Sequence, residues 1–347
     1  MTKDEFRKQF ELLCKNASEI VVCSHQSPDD DSISAVLTMY RHLKDTYVEK
    51  RVRILYEGKS NARWAYFEGF EQINFVENLK EMLNGVDLII IVDVAQLQRV
   101  MKDVRSSRDI TGFGGKIVCI DHHKNEPQEF DLTYIDDSAV ATAQILFELF
   151  YEEAPIIPKR ICETLMLGIL GDSGSFTYVQ PNQSKIFDVA KKLVSDGEIS
   201  IQSLKAKYMR YDFVVLKIQQ ILSQHLNEQE IGGWGRFLVT YLDRSELKEL
   251  CSDDDNISAA CHIFIDTYGK AVRGINWGVV IYPKFGKDEY AISLRSLPEG
   301  VNVRKIVQGM GIGGGHDLAS GGRFLGKISA QECIEELTLW LSMNVAA

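Results

Sequence analysis

Several absences narrow the possibilities for this 347-residue chain before any motif is considered. Its seven cysteines never form a C-x-x-C pair, which argues against a zinc ribbon and against a disulfide framework. Cys23 and Cys119 sit in apolar, strand-like runs and read as small buried hydrophobes, as expected in a reducing cytoplasm. The longest strongly apolar run, Leu88–Val92, is far too short to span a bilayer. Residues 1–6 lack the basic region and apolar run of a signal peptide, so a soluble, untethered, cytoplasmic protein is expected. Positive charge is in deficit: a net charge of −10 argues against binding long duplex nucleic acid, which needs a basic stripe. An anionic substrate stays open, because bound divalent cations can invert the sign of an acidic cleft.

What is present is ordinary for a globular protein: 45% apolar and 25% charged residues, in a length sufficient for two cores. The first half alternates strand and helix patterns. Strands are expected at 20–24, 52–56, 88–92 and 116–120, with helices at 5–16, 32–43, 139–151 and 160–170. Such alternation of buried apolar strands with helices argues for an α/β fold with a parallel sheet covered on both faces. From 183 to 228 the pattern is helical and polar, without a convincing strand. Ile231-Gly232-Gly233-Trp234-Gly235 then reads as a turn into a second, smaller α+β domain. That domain is expected to hold strands at 237–242, 274–282 and 289–295, and helices at 257–268, 303–309 and 330–343. The expected division is 1–195, a helical linker over 196–235, and 236–347.

Four acidic and histidine-bearing stretches stand out: His25-Gln26-Ser27-Pro28-Asp29-Asp30-Asp31, Val92-Asp93, Asp121-His122-His123 and Gly171-Asp172-Ser173-Gly174. The first three follow apolar strand-like runs, so their side chains fall at the carboxyl edge of a sheet, where open α/β folds bind ligands. Acids and imidazoles gathered there without thiolate favour hard or borderline cations such as Mn²⁺ or Mg²⁺. Plainer readings exist. Asp29 to Asp31 can cap a helix and complement its dipole, although that leaves His25 unexplained. Asp93 can equally be an ordinary strand-end acid. Asp172 ends a helical segment, where the dipole disfavours an acid and a compensating cation would relieve it. Trp64, Tyr66 and Phe67 can stack on a base but fit ordinary packing better. His42, His225 and His262 lie outside every motif and read as surface or core histidines.

Together these stretches resemble the motifs of the DHH phosphoesterase family, in the family's order. Ser293-Leu294-Arg295-Ser296 and the Gly313-Gly314-Gly315-His316 stretch through Gly321 are similar to the DHHA1 substrate-binding domain. The resemblance implies a DHH domain with helices on both faces of its parallel sheet, followed by DHHA1. It implies two Mn²⁺ ions, with Mg²⁺ an alternative, bridged by Asp93. One ion would be held by His25 and Asp29, the other by Asp31, His122 and Asp172. His123 would face the phosphate, making Asp93 and His123 the catalytic pair. Arg295, Ser296, Gly314, Gly315 and His316 would bind substrate. Asp30 stands where the family usually has glycine, so it either fits the turn or leans toward a metal.

The reaction implied is phosphoester hydrolysis by a metal-activated water. Among its relatives the chain resembles the compact nanoRNase and 3′-phosphoadenosine 5′-phosphate phosphatase group. Cyclic di-AMP or linear dinucleotide hydrolases are the next alternative, followed by exopolyphosphatases and a silent nucleotide-binding module. The partners implied are short oligonucleotides or nucleotide phosphates, with no membrane, and a homodimer is compatible with the resemblance.

Overall fold

The computed structural model describes residues 1–60, 62–123, 130–208 and 210–344. The chain divides into two compact units, Met1–Arg210 and Tyr211–Ala347. The stretch 196–235 is shared between them.

In unit 1, six strands form a wholly parallel sheet: β1 (Glu19–Cys23), β2 (Arg51–Glu57), β3 (Ile73–Val76), β4 (Leu88–Val92), β5 (Lys116–Asp121) and β6 (Leu132–Ile135). Their order is β3-β2-β1-β4-β5-β6, so the direction of winding reverses between β1 and β4. A crevice opens at such a reversal, outside the strands' carboxyl ends. β4 is apolar throughout and β1 is apolar after Glu19, because both faces of the sheet are covered. Ile20, Val22, Ile90 and Val92 face one core, while Val21, Cys23, Ile89 and Ile91 face another. The helices of this unit are α1 (Lys3–Asn16), α2 (Asp30–Thr46), α3 (Leu97–Val100), α4 (Thr142–Phe150), α5 (Lys159–Asp172), α6 (Ile186–Gly197) and α7 (Ile201–Tyr208). The first core packs against residues of α1, α2, α4, α5 and α6. The second is thinner, closed by α3 and turns bearing Leu79, Leu83, Val104 and Ile110.

The edge strands β3 and β6 are absent from the sequence expectation. Each has four residues and is mostly half-buried, so neither carries a solid apolar run.

α2 and α5 pack closely, and glycine permits it. A Cβ at Gly168 would stand 2.6 Å from Ser34 Oγ and 2.9 Å from Asp31 Oδ1; one at Gly171 would stand 2.6 Å from Asp30 Cβ. Ser34 Oγ donates to the Thr164 carbonyl across the same contact, at 2.8 Å.

Unit 2 comprises α8 (Phe213–Gln224), β7 (Asn227–Ile231), β8 (Gly235–Tyr241), α9 (Arg244–Leu247), α10 (Asp254–Tyr268), β9 (Trp277–Lys284), β10 (Glu289–Ser296), α11 (Val303–Gly309), β11 (Gly313–Gly315), β12 (Ala319–Leu325) and α12 (Ala330–Met343). Its sheet runs β11-β12-β10-β9-β8-β7, antiparallel except for the parallel β8–β9 pair. Val279, Ile281, Ile292 and Leu294 face a core shared with α11 and α12. Val280, Tyr282 and Ala291 face α8 and α10.

Two expectations change here. The 231–235 turn joins β7 to β8 within one sheet rather than leading from one domain to the next. β7, Asn-Glu-Gln-Glu-Ile, is a polar edge strand with no buried residue, so no apolar alternation announces it. The Gly313-Gly314-Gly315-His316 stretch begins a hairpin, β11 paired with β12, in which a Cβ at Gly313 would fall on the Gly321 carbonyl oxygen.

Among the described residues, no helix is long and apolar enough to cross a membrane. All seven cysteines are free thiols.

The glycine contact sets a stability test. In an open helix, Gly→Ala gains about 1 kcal/mol. At position 168 the methyl overpacks the α2 contact, so Gly168→Ala is expected to lose about 1–3 kcal/mol in urea unfolding of the metal-free protein. An unchanged or raised midpoint would show that α2 and α5 yield freely.

Candidate metal centre

The first three motifs meet at the carboxyl ends of β1, β4 and β5, which are neighbours in the sheet. His25 lies just past β1, Asp93 just past β4, and Asp121 ends β5. The fourth arrives from above, since Asp172 is the last residue of α5. Asp29 and Asp31 flank the start of α2.

Asp93 is buried and has φ 63, the left-handed region that aspartate tolerates better than most residues. Its Oδ2 is 3.4 Å from His25 Nε2, while its Oδ1 is 3.6 Å from His122 Nε2 and 3.8 Å from His123 Nδ1. The two oxygens of one carboxylate therefore face different histidines. His25 Nε2 is also 3.5 Å from Asp29 Oδ2, and His122 Nε2 is 3.1 Å from Asp172 Oδ2. Among the described residues, three groups have potential ligand atoms within 4.8 Å of one another: His25, Asp29 and Asp93; Asp93, His122 and His123; and Asp31, His122 and Asp172.

These residues fit divalent cations on their own geometry. His122 Nε2 is buried and makes no hydrogen bond, although two carboxylate oxygens stand close by. A nitrogen so placed presents its lone pair to the same point as the oxygens, as ligation requires. The donors are all nitrogen and oxygen, a set that suits Mn²⁺ or Mg²⁺ and disfavours soft ions.

Electrostatics point the same way. Burial raises the carboxyls of Asp31, Asp93 and Asp172 above the ordinary carboxylate range, and neighbouring acid charges add to it. At Asp121 burial acts likewise but is outweighed by the His123 ring and amide, which hold it below that range. Asp121 Oδ1 is 2.8 Å from His123 Nδ1, so the triplet's acid orients its second histidine.

Asp29 and Asp31 each do double duty. Asp29 Oδ1 accepts from the Ser32 amide at 2.9 Å and caps α2, while Oδ2 faces His25. Asp31 is buried and accepts from the amides of Thr142 (2.6 Å) and Ala143 (3.0 Å) at the start of α4. Asp30 begins α2 in helical conformation, and its Oδ1 accepts from Trp64 Nε1 at 3.1 Å and Tyr66 Oη at 2.6 Å. Both aromatics thus pack beside the first motif.

Thr142 is the residue that reading the sequence misses. It lies in a bland Ala-Val-Ala-Thr-Ala run, yet its hydroxyl donates to Asp93 Oδ1 at 3.0 Å. Of the unassigned histidines, His42 packs on Phe150 with ring centroids 4.3 Å apart, and His225 pairs with Glu246. His262 Nε2 lies 3.1 Å from Ser293 Oγ, two residues before Arg295.

Within unit 2 the candidate substrate residues gather at one end of the sheet. Arg295 pairs in register with Ala319, and His316 and Ala319 exchange backbone hydrogen bonds at 2.8 and 3.3 Å. Gly315, at φ 140, lets the turn close on the Ala319 carbonyl. Gly314 pairs with Gly321. Arg295 Nε donates to Asp266 Oδ1 at 2.6 Å. Ser296 is buried, with its hydroxyl turned to the Asn276 and Leu297 carbonyls.

Residues 19–169 match the DHH family, N-terminal domain. The chain is 24% identical over 318 residues to a Streptococcus mutans protein named probable bifunctional oligoribonuclease and PAP phosphatase NrnA, covering 92% of this chain and 93% of that one. It is 25% identical to the Bacillus subtilis bifunctional oligoribonuclease and PAP phosphatase NrnA, covering 87% and 88%. In fold it is similar to an exopolyphosphatase-related protein from Bacteroides fragilis, with a TM-score of 0.83, 21% identity, and 99% and 98% of the two chains covered. The match at 19–169 runs across the strands that carry the cluster, so this N-terminal part of the chain is similar to the DHH family's N-terminal domain.

Proposed function

We propose that this chain is a Mn²⁺-dependent phosphoesterase that hydrolyses short oligoribonucleotides and dinucleotides, and also 3′-phosphoadenosine 5′-phosphate. The observation that carries the reading is Asp93, whose two oxygens face His25 on one side and His122 on the other. That is the arrangement of a carboxylate shared between two ions. The substrate class is supported by the names of the Streptococcus mutans and Bacillus subtilis relatives, which match along most of their length.

In this reading His25 and Asp29 hold one ion, Asp31, His122 and Asp172 hold the other, and Asp93 joins them. A pair of divalent cations, when bound, lowers the pKa of water and neutralises charge on phosphoryl oxygens. The chain's own part is to place them and to orient the phosphate. His123, held by Asp121, contacts the phosphate. In unit 2, of DHHA1 type, Arg295 and the Gly314-Gly315-His316 hairpin bind the nucleotide's anionic groups, with Ser296 keeping the end of β10 in place. Arginine suits this because its planar fork matches two phosphate oxygens. Free thiols throughout are compatible with a cytoplasmic location.

Asp93→Ala is expected to fold, by circular dichroism, yet lose more than about 100-fold in Mn²⁺-dependent turnover. Removing a shared ligand should exceed the 10- to 100-fold effect of outer partners. Substantial activity in the folded variant would end the shared-ligand role.

A panel of di- to pentaribonucleotides, the adenosine bisphosphate, a cyclic dinucleotide and inorganic polyphosphate tests the substrate. Cleavage of the short RNAs and release of phosphate from the bisphosphate are expected. Turnover of the cyclic dinucleotide alone, or of polyphosphate alone, would replace this assignment.

A further inference from the structure

We infer that Thr142 is a positioning residue that ties the shared carboxylate to a ligand of one ion, so that the two metal sites are built as a single unit. This rests on the two-ion reading above.

One residue touches two acids with two different groups. The Thr142 hydroxyl donates to Asp93 Oδ1 at 3.0 Å, and its amide donates to Asp31 Oδ2 at 2.6 Å. Thr142 is fully buried, so no water competes for either bond. The Ala143 amide completes the grip on Asp31 at 3.0 Å. α4 has no side-chain cap of its own, since Ala141 stands at its N-cap. Asp31 takes that place from α2, and the positive end of the helix dipole faces the acid cluster. The far end of α4 is fixed too: Arg7 donates to the carbonyls of Glu148 at 2.9 Å and Leu149 at 2.6 Å. The helix start therefore cannot drift without disturbing α1.

The hydroxyl occupies one lone pair of Asp93 Oδ1 and leaves its other directions open toward His122. It thereby selects the rotation of the carboxylate in which Oδ2 faces His25. Outer hydrogen-bond partners of metal ligands act in this way, and losing one typically weakens metal affinity 10- to 100-fold. A purely structural cap would instead show in the stability of the metal-free fold and leave affinity alone.

Thr142→Val keeps the amide and the branched shape and removes only the hydroxyl, Thr142→Ala removes it without adding bulk, and Thr142→Ser restores it. Mn²⁺ titration by calorimetry, electron paramagnetic resonance of the bound ions and melting of the metal-free protein are read for each. The wild type should take up two ions with the signature of a coupled pair, and Thr142→Ser should do the same. Val and Ala should bind about 10- to 100-fold more weakly, show isolated-ion spectra at the same Mn²⁺ concentration, and melt near the wild type when metal-free. Either hydroxyl-free variant binding two coupled ions as tightly as the wild type would overturn the role, whatever its melting temperature. A Ser variant as weak as Val would overturn it as well. A wild type that takes up no ions, or a single one, would bring down the two-ion reading and this inference with it. Normal wild-type loading with unaffected variants would bring down this inference alone.

Discussion

The arrangement of unit 1 depends on holding five aspartates against one another at a single sheet edge. Asp29, Asp31, Asp93, Asp121 and Asp172 converge there, and burial pushes three of them toward the neutral form. Like charges this close in a poorly hydrated site cannot all ionise without compensating positive charge. The fold supplies part of it in fixed form. The amides at the start of α4 bind Asp31, and the His123 ring and amide bind Asp121. The remainder is left to cations, which gives the site a reason to bind them. The reversal of strand order between β1 and β4 sets His25 and Asp93 on neighbouring strand ends. Gly168 and Gly171 bring α5 near enough to α2 for Asp172 to join them.

Much of this arrangement was legible in the sequence, and the limit was sequence distance. β1, β2, β4 and β5 are visible because each carries a run of consecutive apolar residues suited to a strand buried on both faces. Their successors in the chain are then placed at the strand ends by geometry alone. β3, β6 and β7 lie at sheet edges and carry no such run. β11 is three glycines, whose pairing depends on close backbone approach rather than on side chains. The candidate ligands were visible because His25, Asp29, Asp31 and His122 sit in local clusters of acids and histidines, while Asp93 directly follows an apolar strand and Asp172 ends a helical segment. Thr142 was not, because its meaning comes from Asp93 and Asp31, 49 and 111 residues away. Gly168 likewise gains its role from Ser34 and Asp31 on another helix.

Asp30 shows the same limit from the opposite side. Its sequence setting, between two acids assigned to different ions, invites a third ligand. The structure gives its Oδ1 to the Trp64 indole and the Tyr66 hydroxyl instead. With glycine at this position those two donors would lose a charged acceptor. An aspartate here is therefore coupled to the aromatic pair beside it, so the substitution and its neighbours form one local solution.

Helix capping and metal ligation looked like competing accounts of the first motif, yet the geometry leaves room for both. An ionised carboxylate has two oxygens and about four acceptor directions. Asp29 uses Oδ1 to start α2 and turns Oδ2 to His25. Asp31 accepts two amides of α4 with one oxygen each and still stands among His122 and Asp172. Each capping bond fixes the carboxylate's rotation before any ion arrives, so the ordering entropy is met by folding rather than by binding. A carboxylate that also begins a helix cannot be removed or turned without cost to the fold. The local chemistry of helix starts is thus the means by which this chain aims its acids at a common point.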